Sequence, residues 1–155
     1  MAPDDADAAR PTPTPLGVLD LIATADAFVR GRFDDEIGSW HGLNRMDLRF
    51  LLLLDEAPEQ QLLRTRLAAL VGVPPSVAAK RLGPMERMGL VERTSTEGGA
   101  SQVELTLTDA GRTMTQDAGR TAREIAADLV ESRYTLDEFD TLTELLARLD
   151  PSLQI

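Results

Sequence analysis

The sequence predicts a mainly α-helical domain that contains one small β-hairpin. Apolar residues recur every three or four positions along most of the chain, which is the period of an amphipathic helix. The period changes to two only around residues 90–108, where two short runs flank a Gly-containing segment. At 155 residues, with 43% apolar and 27% charged residues, the chain has the length and composition of one globular domain.

The first helix is predicted to begin at Pro15 and to stop at Gly42. Residues 1–15 are acidic and rich in Pro and Thr, so we expect a disordered tail, whereas Pro15 itself suits the first turn of a helix. The helix carries one apolar stripe, which consists of Ile22, Ala25, Val29, Phe33, Ile37 and Trp40. A stripe of this kind is typical of a long amphipathic helix.

A Leu-rich helix is predicted next. Asn44 and Asp47 have the spacing of a capping box, with Asp in place of Glu, and they precede the run MDLRFLLLLDEA. The run is long and apolar enough for a buried helix that Pro58 ends. A buried strand over residues 48–54 is the weaker alternative.

Two short helices joined by a tight turn follow. The first has an apolar face of Leu63, Leu67, Leu70 and Val71 and stops at Gly72. The second begins at Pro75 and has an apolar face of Ala78, Leu82 and Met85. Its opposite face consists of Ser76, Lys80, Gly83 and Arg87. This is the pattern of a helix-turn-helix whose second helix enters the major groove of DNA, and a plain helical hairpin is the alternative.

The remaining elements are a β-hairpin and two helices. Residues 90–93 and 103–108 are the predicted strands, and the turn TSTEGGASQ lies between them. Thr108 is the predicted cap of a helix with apolar positions Met114, Ala118, Ala122, Ile125 and Leu129. Thr135 and Glu138 have capping-box spacing for the last helix, whose inward positions are Phe139, Leu142, Leu145, Leu146 and Leu149. A hairpin directly after a helix-turn-helix is the order of a winged helix.

Positive charge is concentrated in one stretch of the chain. The net charge is −10, but residues 61–93 carry six basic and two acidic groups. The Debye length is about 8 Å at physiological salt. Salt therefore largely screens the repulsion between acidic groups elsewhere on the protein and a phosphate group that binds to residues 61–93. A chance cluster of surface arginines is the alternative.

Composition excludes several kinds of chemistry. The chain has no cysteine and a single histidine, His41, so disulfides, thiolate nucleophiles and multi-histidine or cysteine metal sites are excluded. No Gly-x-Ser-x-Gly elbow or phosphate loop is present, and we expect neither an enzyme nor a bound cofactor. The acidic, Pro-rich start does not resemble a signal peptide and no apolar run is long enough to span a membrane, so we expect a cytoplasmic protein.

The order of these segments resembles the MarR family of bacterial transcription regulators. The motifs are HGLN before the Leu-rich helix, then LAALVGVPPSVAAKRLGPMERMGLVER, then LTLTDAG, and the resemblance covers about residues 16–149. It implies a winged-helix domain over residues 16–155, with a DNA-binding lobe at 43–108 and dimerisation helices at 16–41 and 109–150. It also implies a homodimer that binds a palindromic operator on double-stranded DNA, usually represses, and often lets go when a small aromatic ligand binds.

The resemblance also assigns roles to individual residues. The base-reading positions of the recognition helix correspond to Pro75, Ser76, Val77, Ala79 and Lys80. The candidates for contacts to the DNA backbone are Arg64, Arg66 and Arg87, with solvated arginines as the alternative. In the wing region the candidates are Arg93, Ser101 and Gln102. A ligand site is weakly implied at Trp40, His41 and Arg45, although Trp40 fits a core position better and His41 a cap or surface position.

Three features depart from the family pattern. The predicted wing turn contains Glu97 and no positive charge, so the usual arginine in the minor groove is missing. Pro74 stands at the N-cap of the recognition helix and has no side-chain acceptor, which forgoes about 1 kcal/mol of capping. Pro84 lies within that helix and predicts a kink or an early last turn, although not a broken helix.

Two classes of function therefore remain open. The first is a DNA-binding regulator, most simply a dimeric repressor that a small aromatic ligand releases. The second is an acidic winged-helix dimer that has lost operator binding and acts as a protein-interaction module.

Overall fold

Six α-helices and a three-stranded antiparallel sheet make up the described part of the chain, residues 13–95 and 103–149 of a computed structural model. The elements are, in chain order, α1 (Pro15–His41), α2 (Arg45–Asp55), a short 3-10 helix (Pro58–Gln60), β1 (Gln61–Leu63), α3 (Arg64–Val71), α4 (Pro75–Arg87), β2 (Val91–Ser95), β3 (Val103–Leu107), α5 (Asp109–Val130) and α6 (Leu136–Ala147). The predicted class, mainly α-helical with a hairpin after a helix-turn-helix, is confirmed. No helix among these residues is long and apolar enough to cross a membrane.

The first two helices begin and end at the predicted signals. Pro15 is the first residue of α1, and Gly42 ends the helix with a φ of 67°. Asn44 and Asp47 form a complete capping box, since the Asp47 N–H donates to Asn44 Oδ1 at 2.9 Å and the Asn44 N–H donates to Asp47 Oδ2 at 3.3 Å. Residues 48–54 are helical, so the strand alternative is wrong.

Helices α3 and α4 form the predicted helix-turn-helix. The apolar face predicted for α3 is only partly right, because Leu67 is buried whereas Leu63, which lies in β1, and Leu70 are exposed. Gly72 ends α3 with a φ of 76°, a left-handed conformation that glycine adopts without strain. Helix α4 begins at Pro75, has no side-chain hydrogen bond at its Pro74 cap, and continues through Pro84 to Arg87. The helix is therefore not broken at Pro84, and the two elements keep the spacing that the sequence predicts.

The sheet has one strand more than the predicted hairpin. Strand β3 lies in the middle and pairs antiparallel with β2 on one side and with β1 on the other. Val91 is opposite Leu107, and Gln61 is opposite Thr106. Thr94 and Ser95, which the sequence places in the wing turn, belong to β2.

The core surrounds α2. Four of its side chains are buried, namely Leu48, Phe50, Leu51 and Leu54. They form one cluster with buried residues from all the other helices except α6, among them Ile37, Leu67, Leu82 and Ile125. The sheet adds Val91 and Leu105 to the same cluster. The helix-turn-helix is therefore held by α2 on one side and by the sheet on the other.

Helix α6 does not contribute to this core. Its capping box at Thr135 and Glu138 forms as predicted, but none of its residues is buried. The five positions expected to face inward, Phe139, Leu142, Leu145, Leu146 and Leu149, are 38–58% exposed. Within one chain the inward assignment is wrong, because the rest of the described chain leaves about half of each of these side chains exposed.

Candidate nucleic-acid interface

The outward face of α4 is polar and basic. Its apolar side chains Ala78, Leu82 and Met85 are buried, so helical geometry turns Ser76 and Lys80 outward, and both are exposed. Gly83 is half-buried on the same side, and the Arg87 side chain reaches back over it, since a Cβ at Gly83 would lie 3.6 Å from Arg87 Nη1.

The other predicted base-reading positions surround this face. Pro75 and Val77 are exposed, and Ala79 is half-buried. Pro75 occupies the first position of the helix, where its missing N–H costs no helical hydrogen bond. The five positions thus lie along the first two turns of one helix, and Arg87 is exposed at its last residue.

The two arginines at the start of α3 differ in exposure. Arg66 is exposed, whereas Arg64 is half-buried and its Nε has almost no contact with solvent. The side chain of Arg66 is therefore more accessible to a phosphate group than that of Arg64.

Arg93 is exposed but forms an ion pair with Glu86 of the same chain. Its Nη2 donates to both carboxylate oxygens of Glu86 at 2.7 Å, and its Nε donates to Glu86 Oε1 at 3.2 Å. This fork connects the last turn of α4 to strand β2. Sequence reasoning assigned Arg93 to DNA and did not single out Glu86, because the two residues lie seven positions apart on different elements.

The predicted wing contacts cannot be placed on this surface. Ser101, Gln102 and Glu97 lie outside the described residues. The strands on either side are described as far as Ser95 and from Val103 onward.

The predicted ligand trio is not brought together. Trp40 is 80% exposed and does not belong to the core, so the interpretation of Trp40 as a core residue is wrong. His41 is half-buried and its Nε2 lies 3.0 Å from Thr121 Oγ1 on α5. Arg45 turns toward α1, where its guanidinium lies 5.8 Å from the centre of the Phe33 ring. Arg45 lines a cleft that neither Trp40 nor His41 borders.

One carboxyl group beside the recognition helix has a perturbed pKa. Burial raises the pKa of Asp47, while the hydrogen bond from the Asn44 backbone and the positive charge of Arg81 oppose the rise. Arg81 Nη1 lies 3.8 Å from Asp47 Oδ1. This contact joins the start of α2 to the middle of α4, and sequence reasoning did not single out either partner for it.

The architecture is that of winged-helix proteins, and solved structures share it over nearly the whole chain. Sco3205, described as a MarR family transcriptional regulator from Streptomyces coelicolor in complex with DNA, has a TM-score of 0.82 and 19% identity over 95% of this chain and 94% of its own. MepR from S. aureus, described as a DNA complex, has a TM-score of 0.77 and 16% identity over 87% and 97% of the two chains. A mutant of MarR from E. coli, described as complexed with operator DNA, has a TM-score of 0.76 and 18% identity over 86% and 94%.

These neighbours define the fold of the chain. The chain has the winged-helix fold of MarR family transcriptional regulators over most of its length. No protein-family model and no curated protein sequence matches it.

Proposed function

We propose that this protein is a DNA-binding transcription regulator. The observation that carries the proposal is the polar and basic outward face of α4, exposed on a helix whose other face is buried against the lobe. The segment from β1 to β2 also has an excess of positive charge in an otherwise acidic chain. The fold that surrounds this face is shared with proteins that are described as DNA complexes.

Individual residues have distinct roles in this proposal. Ser76 and Lys80 contact base edges in the major groove, and Val77 and Ala79 pack on thymine methyl groups. Arg66 and Arg87 bind phosphates and set the position of the helix on the duplex. Arg64 is a weaker phosphate candidate because it is half-buried.

The proposed regulator is a homodimer that binds a two-fold symmetric operator. The apolar side chains exposed on α6 are joined by exposed apolar residues near the start of α1, namely Leu16, Val18, Leu19, Leu21 and Phe28. So much apolar surface on terminal helices is typical of an interface between chains. A two-fold pairing places two copies of α4 about one turn of DNA apart.

The proposed mode of action is repression. A dimer on an operator within a promoter occupies DNA that the transcription machinery needs, and a ligand that prefers the unbound form releases it. A small aromatic ligand at Trp40, His41 and Arg45 stays a prediction. The geometry gives it little support, because Trp40 is exposed to solvent, His41 lies beside Thr121 and Arg45 lies beside Phe33.

A protein-interaction module is the second candidate function. The observation that favours it is the Arg93–Glu86 fork, which neutralises one of the few cations at the base of the wing. The wing turn itself has no positive charge in the sequence. In this alternative the acidic dimer binds another protein and has no operator.

A salt titration distinguishes the two functions. The full chain is titrated into fluorescent duplexes from its own promoter region and into scrambled duplexes, and anisotropy is measured at several salt concentrations. For a DNA-binding regulator, log affinity falls with log salt with a slope of about −0.9 per phosphate contacted, and the promoter duplex binds more tightly. Equal and negligible binding to both duplexes would refute the proposed function and leave the interaction module.

A further inference from the structure

A cleft between the first two helices and the helix-turn-helix is rich in arginine. Its volume is about 310 Å³, and four guanidinium side chains line it: Arg30 from α1, Arg45 and Arg49 from α2, and Arg81 from α4. Asp26 and Asp34 of α1 also line it, so the cleft has more positive than negative groups. From this arrangement we infer that the cleft binds a small organic or inorganic anion that carries two or more negative charges.

The two aspartates are already satisfied within the protein. Asp26 pairs with Arg30, and its Oδ1 lies 3.7 Å from Arg45 Nη1. Asp34 Oδ1 accepts a hydrogen bond of 2.7 Å from the backbone N–H of Arg45, at the first residue of α2. These carboxylates hold the α1 wall of the cleft in place and neutralise part of its charge.

The other two arginines keep most of their donors. Arg81 meets Asp47 only at 3.8 Å, which is too long for a hydrogen bond. Arg49 donates to a neutral group, the carbonyl oxygen of Leu70, at 3.2 Å. Since each guanidinium has five N–H donors, Arg49 and Arg81 can still bind carboxylate or phosphate oxygens.

The lining also indicates which anions fit. Met46 and Val71 are the apolar groups of the cleft, and its lining includes no aromatic ring. Because guanidiniums from both α2 and α4 line the cleft, an anion with several charged oxygens can form more charge-assisted hydrogen bonds there than an anion with a single carboxylate. Polycarboxylates and phosphates share this chemistry, and it differs from that of the small aromatic ligand expected from the sequence.

Calorimetry on the full chain tests the inference without DNA. Citrate, inorganic phosphate and salicylate are titrated at constant ionic strength, so that screening is equal in all three experiments. We expect saturable binding of citrate or phosphate, at least tenfold tighter than that of salicylate. Citrate bound more tightly than phosphate assigns the cleft to polycarboxylates, and the reverse order assigns it to phosphates.

Variants locate the binding site. Arg49→Gln and Arg81→Gln should each raise the dissociation constant of the preferred anion about tenfold, because each removes a charge-assisted contact. Arg81→Lys keeps the charge but loses the planar fork, and we expect a smaller increase. Arg120→Gln is the matched control, since Arg120 lies on α5 in an ion pair of 2.8 Å with Asp117, and its dissociation constant should equal that of the wild type.

Several outcomes would overturn the inference. They are no saturable binding of citrate or phosphate, tighter binding of salicylate, and equal binding by the wild type and the three cleft variants. Thermal unfolding without ligand checks that each variant is folded. If a glutamine variant does not fold, the dissociation constant of Arg81→Lys tests the site instead, because the Arg81 side chain is exposed and the substitution keeps its charge. Because the calorimetry contains no DNA, a lack of anion binding would refute the anion site without refuting the proposed DNA-binding function.

Discussion

Gly111 of α5 lies directly against the backbone carbonyl of Leu90, the residue before β2. A Cβ at position 111 would stand 1.9 Å from the Leu90 oxygen and 3.3 Å from a methyl carbon of Leu107. The Gly111 N–H donates to Thr108 Oγ1 at 2.9 Å, and the Thr108 hydroxyl donates to the Gly89 carbonyl at 2.6 Å. The start of α5 is therefore fixed against the end of the helix-turn-helix at a distance that only glycine permits.

Gly111→Ala should destabilise the protein by about 1–3 kcal/mol, because the new methyl group overlaps a backbone atom that cannot move alone. Gly31→Ala is the matched control, since a Cβ at Gly31 of α1 meets nothing within 4 Å. The control should gain about 0.5–1 kcal/mol from the lower chain entropy of alanine. Urea unfolding of both variants measures the difference, and equal stabilities would contradict the close approach.

Lys80→Ala and Arg66→Ala should weaken DNA binding in different ways. If Lys80 contacts a base, its loss weakens the operator complex by about 1–3 kcal/mol and leaves scrambled DNA nearly unaffected. Loss of Arg66 should weaken all duplexes alike and reduce the salt slope by about one. Anisotropy titrations at several salt concentrations separate the two, and equal losses on both duplexes would make Lys80 a phosphate contact.

Glu86→Gln should strengthen binding to any duplex. The substitution removes a negative charge beside α4 and releases Arg93 from its carboxylate partner, so the salt slope should steepen by about one. Glu92→Gln is the control, because Glu92 is exposed on the same strand as Arg93 and its loss changes net charge equally. If the two variants bind DNA equally, the fork does not limit the availability of Arg93.

Leu145→Lys should shift the protein from dimer to monomer. Leu145 is half-exposed on the uncovered face of α6, and a charged group there would be buried without a partner in the proposed interface. Met88→Lys is the control, since Met88 is equally exposed but follows α4. Sedimentation should give twice the 16.9 kDa chain mass for the wild type and control only. A wild type that sediments as a monomer at micromolar concentration would remove the two-fold operator as well.

Asp47→Asn should raise the thermal midpoint more at pH 7 than at pH 4. Burial raises the pKa of Asp47 in the folded protein above its usual 3.8. As pH rises, the Asp47 carboxyl group therefore loses its proton at a lower pH in the unfolded chain than in the folded protein. The free energy of unfolding therefore falls as pH rises from 3.8 through the higher pKa of the folded state. The asparagine variant has no carboxyl group and avoids this loss. An increase in the thermal midpoint that is larger at pH 4 than at pH 7 would contradict a raised pKa of Asp47.

Glu138→Gln provides a control of opposite sign. Hydrogen bonds from Thr135 lower the pKa of Glu138 below its usual 4.5, so its contribution is present above pH 4.5 and is lost as pH falls through the lower pKa of the folded state. This variant should be destabilised at pH 7, and the difference from the wild type should shrink on acidification.

Local signals were sufficient for most of the fold. Asn44, Gly72, Thr108 and Thr135 act on their own helix ends, so the sequence alone predicts where helices begin and stop. The buried face of α4 follows in the same way from its period of 3.6 residues.

Features that depend on distant partners could not be predicted. Strand β1 has three residues, too few to display a period, and it exists because β3 pairs with it. It follows Glu59 and Gln60, which both have positive φ values of 56° and 55°, although neither is a residue type that signals such a turn. The Arg93–Glu86 fork and the arginine cleft likewise need the tertiary structure, because their members come from different elements.

Exposure of the single tryptophan of the chain, Trp40, makes it an optical reporter. Trp40 lies at the end of α1 with 80% of its surface exposed, so the indole ring is mostly surrounded by water. Its fluorescence emission and its accessibility to a soluble quencher therefore report the solvent exposure of residue 40. A blue shift on raising the protein concentration would show that a second chain covers residue 40, whereas an anion in the arginine cleft should leave the emission unchanged, because Trp40 does not border that cleft. The native chain thus carries its own probe for association of two chains, without a dye or an added substitution.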